Sequence, residues 1–263
     1  MTAPMSQPPL PGEAHGLLTG KVVVVTAAAG AGIGFATARR CLEEGASVMM
    51  SDKHERRLHE ATLALAAAGP TPPLGVACDV TAPGGVERLM DASETAFGPV
   101  DVVVNNAGLG GTQSVAAMSD TEWSSVIDVS LNGTFRATRA ALRLMIPRGR
   151  GVIVNLASVT GWRAEAGQAH YGAAKAGVMA LTRCAALEAA PHGVRVNAVA
   201  PTLTAHPFLV KVTDPEVLEM WARRQPQNRA AEPFEIANVI VFVASDYAGY
   251  LTGEVISVGG QHP

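Results

Sequence analysis

A tyrosine and a lysine four residues apart are the side chains in this sequence best suited to moving a proton. Tyr171 and Lys175 fall in a helical pattern, in which positions i and i+4 lie on one face. A free phenol ionises at pH ~10, and a neighbouring cation stabilises its anion. The pair could therefore exchange a proton near neutral pH. Ser158, upstream of the tyrosine, could hold a substrate oxygen beside the phenol.

The elements around this pair must decide its role, because the same spacing also occurs on ordinary surface helices. A predicted strand over 21–26 leads into a glycine-rich turn over 27–34, and a helical pattern follows. Glycines let the backbone approach a pyrophosphate closely, and the helix N-terminus supplies unpaired N–H groups and positive potential. The turn therefore predicts a dinucleotide-binding site, with a tight turn that binds no ligand as the alternative.

A carboxylate at the end of the second predicted strand could select the dinucleotide. Asp52 could accept hydrogen bonds from a ribose diol and would repel a 2′-phosphate, which favours NAD(H) over NADP(H). Lys53, His54 and Arg56 could instead neutralise that phosphate, and Asp52 could simply cap the next helix. After the third strand, Asp79 could bind the adenine amino group or be a plain turn aspartate.

Composition narrows the function classes. Of 263 residues, 48% are apolar, which is enough to cover both faces of a sheet, and a net charge of −3 without a Lys/Arg run argues against nucleic-acid binding. Cys41, Cys78 and Cys184 lack metal-ligand spacing and lie in apolar stretches, so we expect buried free thiols and no metal site. No apolar run reaches ~18 residues and no secretory pattern begins the chain, so a soluble cytoplasmic protein without a membrane partner is expected.

Strand and helix patterns alternate along most of the chain. The predicted strands are 21–26, 47–51, 75–78, 100–105, 151–156, 194–199 and 255–258, and the predicted helices are 33–44, 55–68, 83–97, 119–146, 168–190 and 233–245. This alternation predicts an α/β fold, a single-domain doubly wound parallel sheet of Rossmann-like type with about seven strands and helices on both faces. Residues 17–263 are expected to form this domain, and the proline-rich residues 1–16 a disordered extension.

The stretch 201–230 interrupts the alternation with four prolines. They are Pro201, Pro207, Pro215 and Pro226. Asp214 followed by Pro215 predicts the N-cap and first turn of a short helix. Because the stretch follows the carboxyl end of a strand, where open α/β sheets bind ligands, we interpret it as a substrate lid.

Several motifs together carry a family resemblance. They are the glycine-rich turn, Asn105-Asn106-Ala107-Gly108, Ser158, Tyr171-x-x-x-Lys175, Asn197-Ala198-Val199-Ala200-Pro201 and Leu251-Thr252-Gly253. In this order and spacing, the chain resembles the short-chain dehydrogenase/reductases over essentially residues 17–260. The resemblance implies that Tyr171 is the general acid/base, that Lys175 holds the nicotinamide ribose and lowers the pKa of the phenol, and that Ser158 orients the substrate.

The resemblance also implies cofactor contacts and an assembly. With the aspartates considered above, the residues expected to contact NAD are Gly30, Gly32, Ile33, Gly34, Asp52, Asp79, Val80, Asn105, Ala107, Gly108, Tyr171, Lys175 and Pro201. Asn105 is also expected to brace the central strands. A homo-tetramer built through helices 119–146 and 168–190 is expected from the same resemblance.

Four features depart from the family pattern. One is that Pro201 is followed by Thr202 and not by glycine. Ala27 stands where the family turn has its first glycine, and the turn is one residue longer. Ser130 stands where the family has its fourth catalytic residue, an asparagine, and its hydroxyl could still hold a relay water. Asn132 cannot simply take the place of that asparagine, because it lies roughly 200° round the helix from Ser130. His206 stands where a threonine often binds the carboxamide.

A narrower resemblance points to a substrate class. Stretches 25–30, 54–58, 176–184 and 253–258, with 261–263, look like bacterial reductases of sterol breakdown, which act on a ring hydroxyl of a methylhydrindane acyl-CoA. We therefore expect an NAD(H)-dependent oxidoreductase that interconverts a secondary alcohol and a ketone on a bulky alicyclic or acyl-CoA substrate. Lys211, Arg223, Arg224 and Arg229 could contact CoA phosphates or form a solvated helix face. A 3-oxoacyl-thioester reductase, a non-catalytic dinucleotide sensor, and a lyase or epimerase are the alternatives.

Overall fold

One parallel sheet forms the centre of the molecule in the computed structural model, which describes residue 7 and residues 12–205 and 215–259. Within those residues its seven strands are β1 Val22–Val25, β2 Ser47–Asp52, β3 Leu74–Ala77, β4 Val102–Asn105, β5 Gly151–Leu156, β6 Val194–Pro201 and β7 Val255–Val258. Their order is β3-β2-β1-β4-β5-β6-β7, and every neighbouring pair is parallel. The predicted doubly wound sheet is confirmed.

Helices cover both faces of this sheet. They are α1 Ile33–Glu43, α2 Glu55–Ala64, α3 Gly85–Phe97, α4 Asp120–Ile127, α5 Gly133–Arg148, α6 Ala169–Ala189, α7 Pro215–Arg223 and α8 Pro233–Ala244. In β1, Val23 and Val25 belong to a core shared with α1 and α8, whereas Val22 and Val24 belong to a core shared with α3 and α5. Successive strand residues point to opposite faces, so an uninterrupted valine run suits a strand that is covered twice.

The helix predicted over 119–146 is divided into two helices. A capping box at Ser119 starts α4, as its sequence pattern predicts, but a π-helical turn over Asp128–Asn132 separates α4 from α5. Single π turns inside helices often lie at functional sites.

The chain joins the fold earlier than residue 17. The backbone N–H groups of His15 and Leu17 each donate to the buried carboxylate of Glu44 at 2.9 Å, and the Arg40 guanidinium pairs with the same carboxylate. Burial alone would raise the pKa of Glu44, but these hydrogen bonds outweigh it and hold that pKa below its usual value. Residues 12–16 are therefore in contact with α1, next to the predicted start of the domain at residue 17. Most of residues 1–11 lie outside the described residues.

The cysteines are free, but one is not buried. Cys41 and Cys78 lie in the core, and burial raises the pKa of their thiols to about 12 and about 11. Cys184 is exposed on α6, so its predicted burial is wrong. The helix is apolar around most of its circumference, and the sequence alone does not show which side faces the sheet. Among the described residues, no cluster of metal-ligating side chains occurs, and no helix is long and apolar enough to cross a membrane.

We predict that Glu44→Ala lowers the free energy of unfolding by about 3 kcal/mol, because it removes a buried carboxylate that pairs with Arg40 and accepts from two backbone donors. The neighbouring Glu43→Ala is the matched control: its pair with Arg39 is exposed, and its loss should change stability by less than about 0.5 kcal/mol. Urea unfolding of both variants measures the difference. Equal losses would show that Glu44 does not hold the N-terminal segment.

Candidate active site

The carboxyl ends of neighbouring strands bring the predicted site residues to one edge of the sheet. Thr26 follows β1, Asn105 ends β4, Ser158 follows β5 and Pro201 ends β6. Tyr171 and Lys175 reach the same edge from the first turns of α6. Open α/β sheets bind ligands at this edge, outside the carboxyl ends of their strands.

Tyr171 and Ser158 form the polar centre of the site. Burial raises the pKa of the Tyr171 phenol, and a hydrogen bond with the Ser158 hydroxyl offsets part of that rise. Ser158 is itself buried and donates to the Thr160 hydroxyl at 3.2 Å. The phenol therefore stays protonated at neutral pH, with a second hydroxyl next to it.

Lys175 places a buried ammonium on the same side of α6 as the phenol. Its Nζ donates to the Leu156 carbonyl at 2.6 Å and lies 5.6 Å from the centroid of the Tyr171 ring. Burial lowers the pKa of Lys175 to about 8, so the group is mostly charged at neutral pH. With the protein residues alone, burial of the phenol dominates, and the pKa of Tyr171 is raised where the sequence led us to expect it lowered.

A buried polar network beneath the site fixes the ends of β4 and β5. The Asn105 amide donates to Asn155 at 2.8 Å and to Thr138 at 3.2 Å, and the Asn155 amide donates to Thr182 at 3.0 Å. Asn105 thus braces the central strands as predicted. Asn155 and its two threonine partners were missed by sequence reasoning; the signal was an asparagine inside the apolar run of β5.

Ser130 lies in the π turn and is bound to the loop after β4. Its hydroxyl accepts from the Leu109 N–H and donates to the Leu109 carbonyl, both at 2.9 Å. The single hydroxyl proton of Ser130 is therefore already donated, and the side chain holds this loop in place. Asn132 lies apart from it and donates to Asp128 at 3.1 Å.

The glycine-rich turn has the shape that a pyrophosphate requires. A Cβ added at Gly32, the N-cap of α1, would meet no atom within 4 Å, so the helix N-terminus is open. A Cβ at Gly34 would lie 2.5 Å from the Ala27 carbonyl oxygen, so glycine is needed there for packing. Gly30 has a φ of 103°, which favours glycine. The open N-terminus and its unpaired N–H groups fit a dinucleotide.

The turn is tied to the rest of the site through Thr26. Its hydroxyl accepts from the N–H groups of Asn106 and Ala107 at 2.9 and 3.1 Å. The Asn106 amide donates back to the carbonyls of Thr26 and Ala27. Gly108 follows, and a Cβ there would lie 3.5 Å from Lys175 Nζ, so glycine leaves space beside the buried ammonium.

Of the two predicted nucleoside aspartates, Asp52 ends β2 and Asp79 follows the neighbouring strand β3. Asp52 is buried, and its Oδ1 accepts from the His54 N–H at 3.0 Å and from Arg57 at 3.4 Å. Asp79 accepts from the backbone and hydroxyl of Thr81, which holds its pKa below the usual value. Val80 next to it is buried against α5, because Gly133 leaves room for it. Sequence reasoning did not predict that Arg57 contacts Asp52. The only signal was its position five residues after Asp52, near the start of α2.

The lid segment is described only in part. Ala205 donates to the Ala231 carbonyl and Ala231 donates to the Leu203 carbonyl, so the two ends of the segment are bridged. Arg229 forms two 2.6 Å hydrogen bonds with Glu235, and Arg223 pairs with Glu219. His206, Pro207, Lys211 and Asp214 lie outside the described residues.

Fold, glycine turn and the serine–tyrosine–lysine group define a nicotinamide-dependent oxidoreductase, and the chain belongs to the short-chain dehydrogenase/reductase family. A family model described as enoyl-(acyl carrier protein) reductase matches residues 27–261. Members of the family bind NAD or NADP. The expected resemblance is therefore confirmed.

Particular relatives agree with this assignment. The chain is 60% identical, over 95% of both chains, to the (5R,7aS)-5-hydroxy-7a-methyl-1-oxo-2,3,5,6,7,7a-hexahydro-1H-indene-carboxyl-CoA reductase of Mycobacterium tuberculosis. It is 42% identical to the cis-4-hydroxycyclohexanecarboxylate dehydrogenase of Sinomonas cyclohexanicum, over 92% of this chain and 96% of that protein. A crystal structure of a short-chain dehydrogenase from Mycobacterium smegmatis matches with a TM-score of 0.87 at 51% identity, over 98% and 99% of the chains.

We predict that Ala27→Gly raises the free energy of unfolding by roughly 0.5–1 kcal/mol. Ala27 has a φ of 51°, in the left-handed region that costs a residue with a Cβ about 1–2 kcal/mol. Ala29→Gly in the same turn is the control; Ala29 has no positive φ, so it should lose a similar amount. Thermal unfolding of both variants should give shifts of opposite sign, and shifts of the same sign would refute the strain at Ala27.

Proposed function

We propose that this protein is an NAD(H)-dependent oxidoreductase that interconverts a secondary alcohol and a ketone on a bulky alicyclic CoA thioester. The observation that carries the proposal is the protonated Tyr171 phenol, held by Ser158 and flanked by the buried Lys175 ammonium, at the strand edge that also carries the open glycine turn. A bound nicotinamide supplies or accepts the hydride.

The residues are arranged for proton transfer to a substrate oxygen. A ketone oxygen between the two hydroxyls would receive a hydrogen bond from Tyr171, and one from Ser158 when its hydroxyl turns from Thr160 to the substrate. Because burial keeps the phenol protonated at neutral pH, Tyr171 can donate its proton as negative charge develops on that oxygen. The reverse reaction takes the hydroxyl proton back along the same path.

Lys175 would stabilise the phenolate that remains after proton transfer. Its charge lies near the ring, and the low dielectric around both groups strengthens their attraction. The Leu156 carbonyl fixes the ammonium at the end of β5, leaving its other protons for a ribose or a water. We propose that Ser130 supports the site by holding the loop at Leu109.

The substrate class is proposed from the relatives. The Mycobacterium tuberculosis protein is named for a bicyclic hydroxy-ketone carrying a carboxyl-CoA group, and the Sinomonas protein for a hydroxylated cyclohexane carboxylate. Both substrates are secondary ring alcohols. Arg224 on the lid donates to the Met220 thioether and has no carboxylate partner among the described residues, so we propose it for contact with CoA phosphates.

NAD is proposed as the cofactor because of Asp52. Its carboxylate ends β2 beside the glycine turn, since the Ala28 N–H donates to the Ser51 carbonyl at 2.8 Å. A ribose diol would donate to the carboxylate, whereas a 2′-phosphate would be repelled. Arg56 is occupied by Glu60, and Arg57 is held by Asp52 itself.

We also propose residues 201–230 as a substrate lid and a homo-tetramer as the assembly. Exposed apolar side chains on the helices concerned support the assembly: Trp123 on α4, Phe135 on α5 and Leu187 on α6. A cytoplasmic location is part of the proposal, because NAD and CoA thioesters are intracellular compounds.

Tyr171→Phe is expected to reduce turnover of a cyclic ketone by at least about a hundredfold while leaving NADH binding unchanged, because only the proton donor is lost. Nicotinamide absorbance measures turnover, and NADH fluorescence measures binding. Tyr247→Phe is the control, since that phenol is 80% exposed and should change neither. Near-normal turnover by Tyr171→Phe would remove the tyrosine from the mechanism.

Asp52→Asn is expected to lower the ratio of kcat/KM with NADH to kcat/KM with NADPH by at least about tenfold, because a charge that repels the 2′-phosphate is removed. Steady-state kinetics with both cofactors give the ratio. Glu55→Gln, one turn away at the start of α2, is the matched loss of a carboxylate and should leave the ratio unchanged. A wild-type protein that prefers NADPH would overturn the cofactor proposal.

A further inference from the structure

The loop after β4 lies across the first turn of α6 and is attached on both sides of a glycine pair. Ser130 binds both backbone groups of Leu109, and the Gln113 N–H donates to the Gly167 carbonyl at 3.0 Å. Between these attachments stand Gly110 and Gly111, both without a positive φ. The backbone conformation at these two positions would accept any L-residue.

Packing explains one of the two glycines. A Cβ at Gly111 would lie 3.1 Å from Nε2 of His170, a buried side chain whose Nδ1 is unpartnered in the described residues. That approach is tighter than ordinary van der Waals contact, so a side chain at 111 would have to displace the imidazole. Gly111 therefore has a structural reason to be glycine.

Neither packing nor backbone explains Gly110. A Cβ there would meet only the Tyr171 ring, with Cδ2 at 3.8 Å and Cε2 at 3.9 Å, which is ordinary van der Waals contact. The residue is exposed, and the rest of the surrounding space is open among the described residues. A side chain at 110 would stand beside the ring edge next to the phenol's hydroxyl-bearing carbon. The space that glycine leaves open is therefore at the reacting end of Tyr171.

We propose that Gly110 determines the size of substrate that can reach Tyr171. The missing side chain leaves room beside the phenol for the second ring, or a ring-junction substituent, of a fused alicyclic ketone. A single unsubstituted ring would not need that room. This inference rests on the proposed function and adds to it which position admits the bulky substrate.

Gly110→Val tests this with two ketones reduced by NADH, cyclohexanone and a fused bicyclic ketone that carries a ring-junction methyl group. We expect kcat/KM for the bicyclic ketone to fall at least about tenfold, and kcat/KM for cyclohexanone to stay within about threefold. Gly110→Ala should give a smaller loss in the same direction. Gly12→Val is the matched control, because Gly12 has no positive φ and no atom within 4 Å of its Cβ position, and its carbonyl accepts from Arg40 near the C-terminal end of α1.

The outcomes separate this inference from the function on which it rests. Equal losses for both ketones, or no loss for either, would overturn the role of Gly110 while leaving the proposed function intact. If Gly110→Val does not fold, as judged by circular dichroism, Gly110→Ala provides the test through the same comparison of kcat/KM for the two ketones. A wild-type protein that reduces neither ketone and no CoA-ester analogue of them would overturn the proposed function, and the inference with it.

Discussion

The buried ammonium of Lys175 is the constraint on which the rest of the site depends. It lies at the end of β5 against the Leu156 carbonyl, and no carboxylate among the described residues pairs with it. A charge placed there costs folding free energy, which is why its pKa falls to about 8. The surrounding structure must therefore be rigid enough to keep the group in place, and stable enough to bear the cost.

Polar contacts between the strands add to the rigidity that the apolar core provides. Asn105 and Asn155 face each other in the β4–β5 register and connect to Thr138 on α5 and Thr182 on α6. α6 is thereby fixed to the sheet below Tyr171. A buried network of this kind favours one arrangement of strands and helices, because other arrangements would leave the Asn105 and Asn155 donors unpaired.

The loop after β4 connects the cofactor side of the site with the substrate side. Thr26 fixes its start and Ser130 fixes its middle, and Gly108 and Gly110 face Lys175 and Tyr171 in turn. The π turn exists in the helix at the point where Ser130 meets this loop. The irregular turn of the helix and the loop after β4 are thus joined by one pair of hydrogen bonds.

Much of this could be read from the sequence, because its signals are local. Uninterrupted apolar strands, the glycine turn and the spacing of Ser158, Tyr171 and Lys175 determined the fold class and the catalytic group. The tertiary structure alone decided in which direction the pKa of each site residue is shifted. Burial raises the pKa of Tyr171, and burial depends on atoms that are distant in sequence. The same holds for the attachment of residues 12–16 to Glu44, the exposure of Cys184 and the open space at Gly110. Each of these features depends on the distance between segments that are far apart in the sequence, and no periodicity or motif encodes that distance.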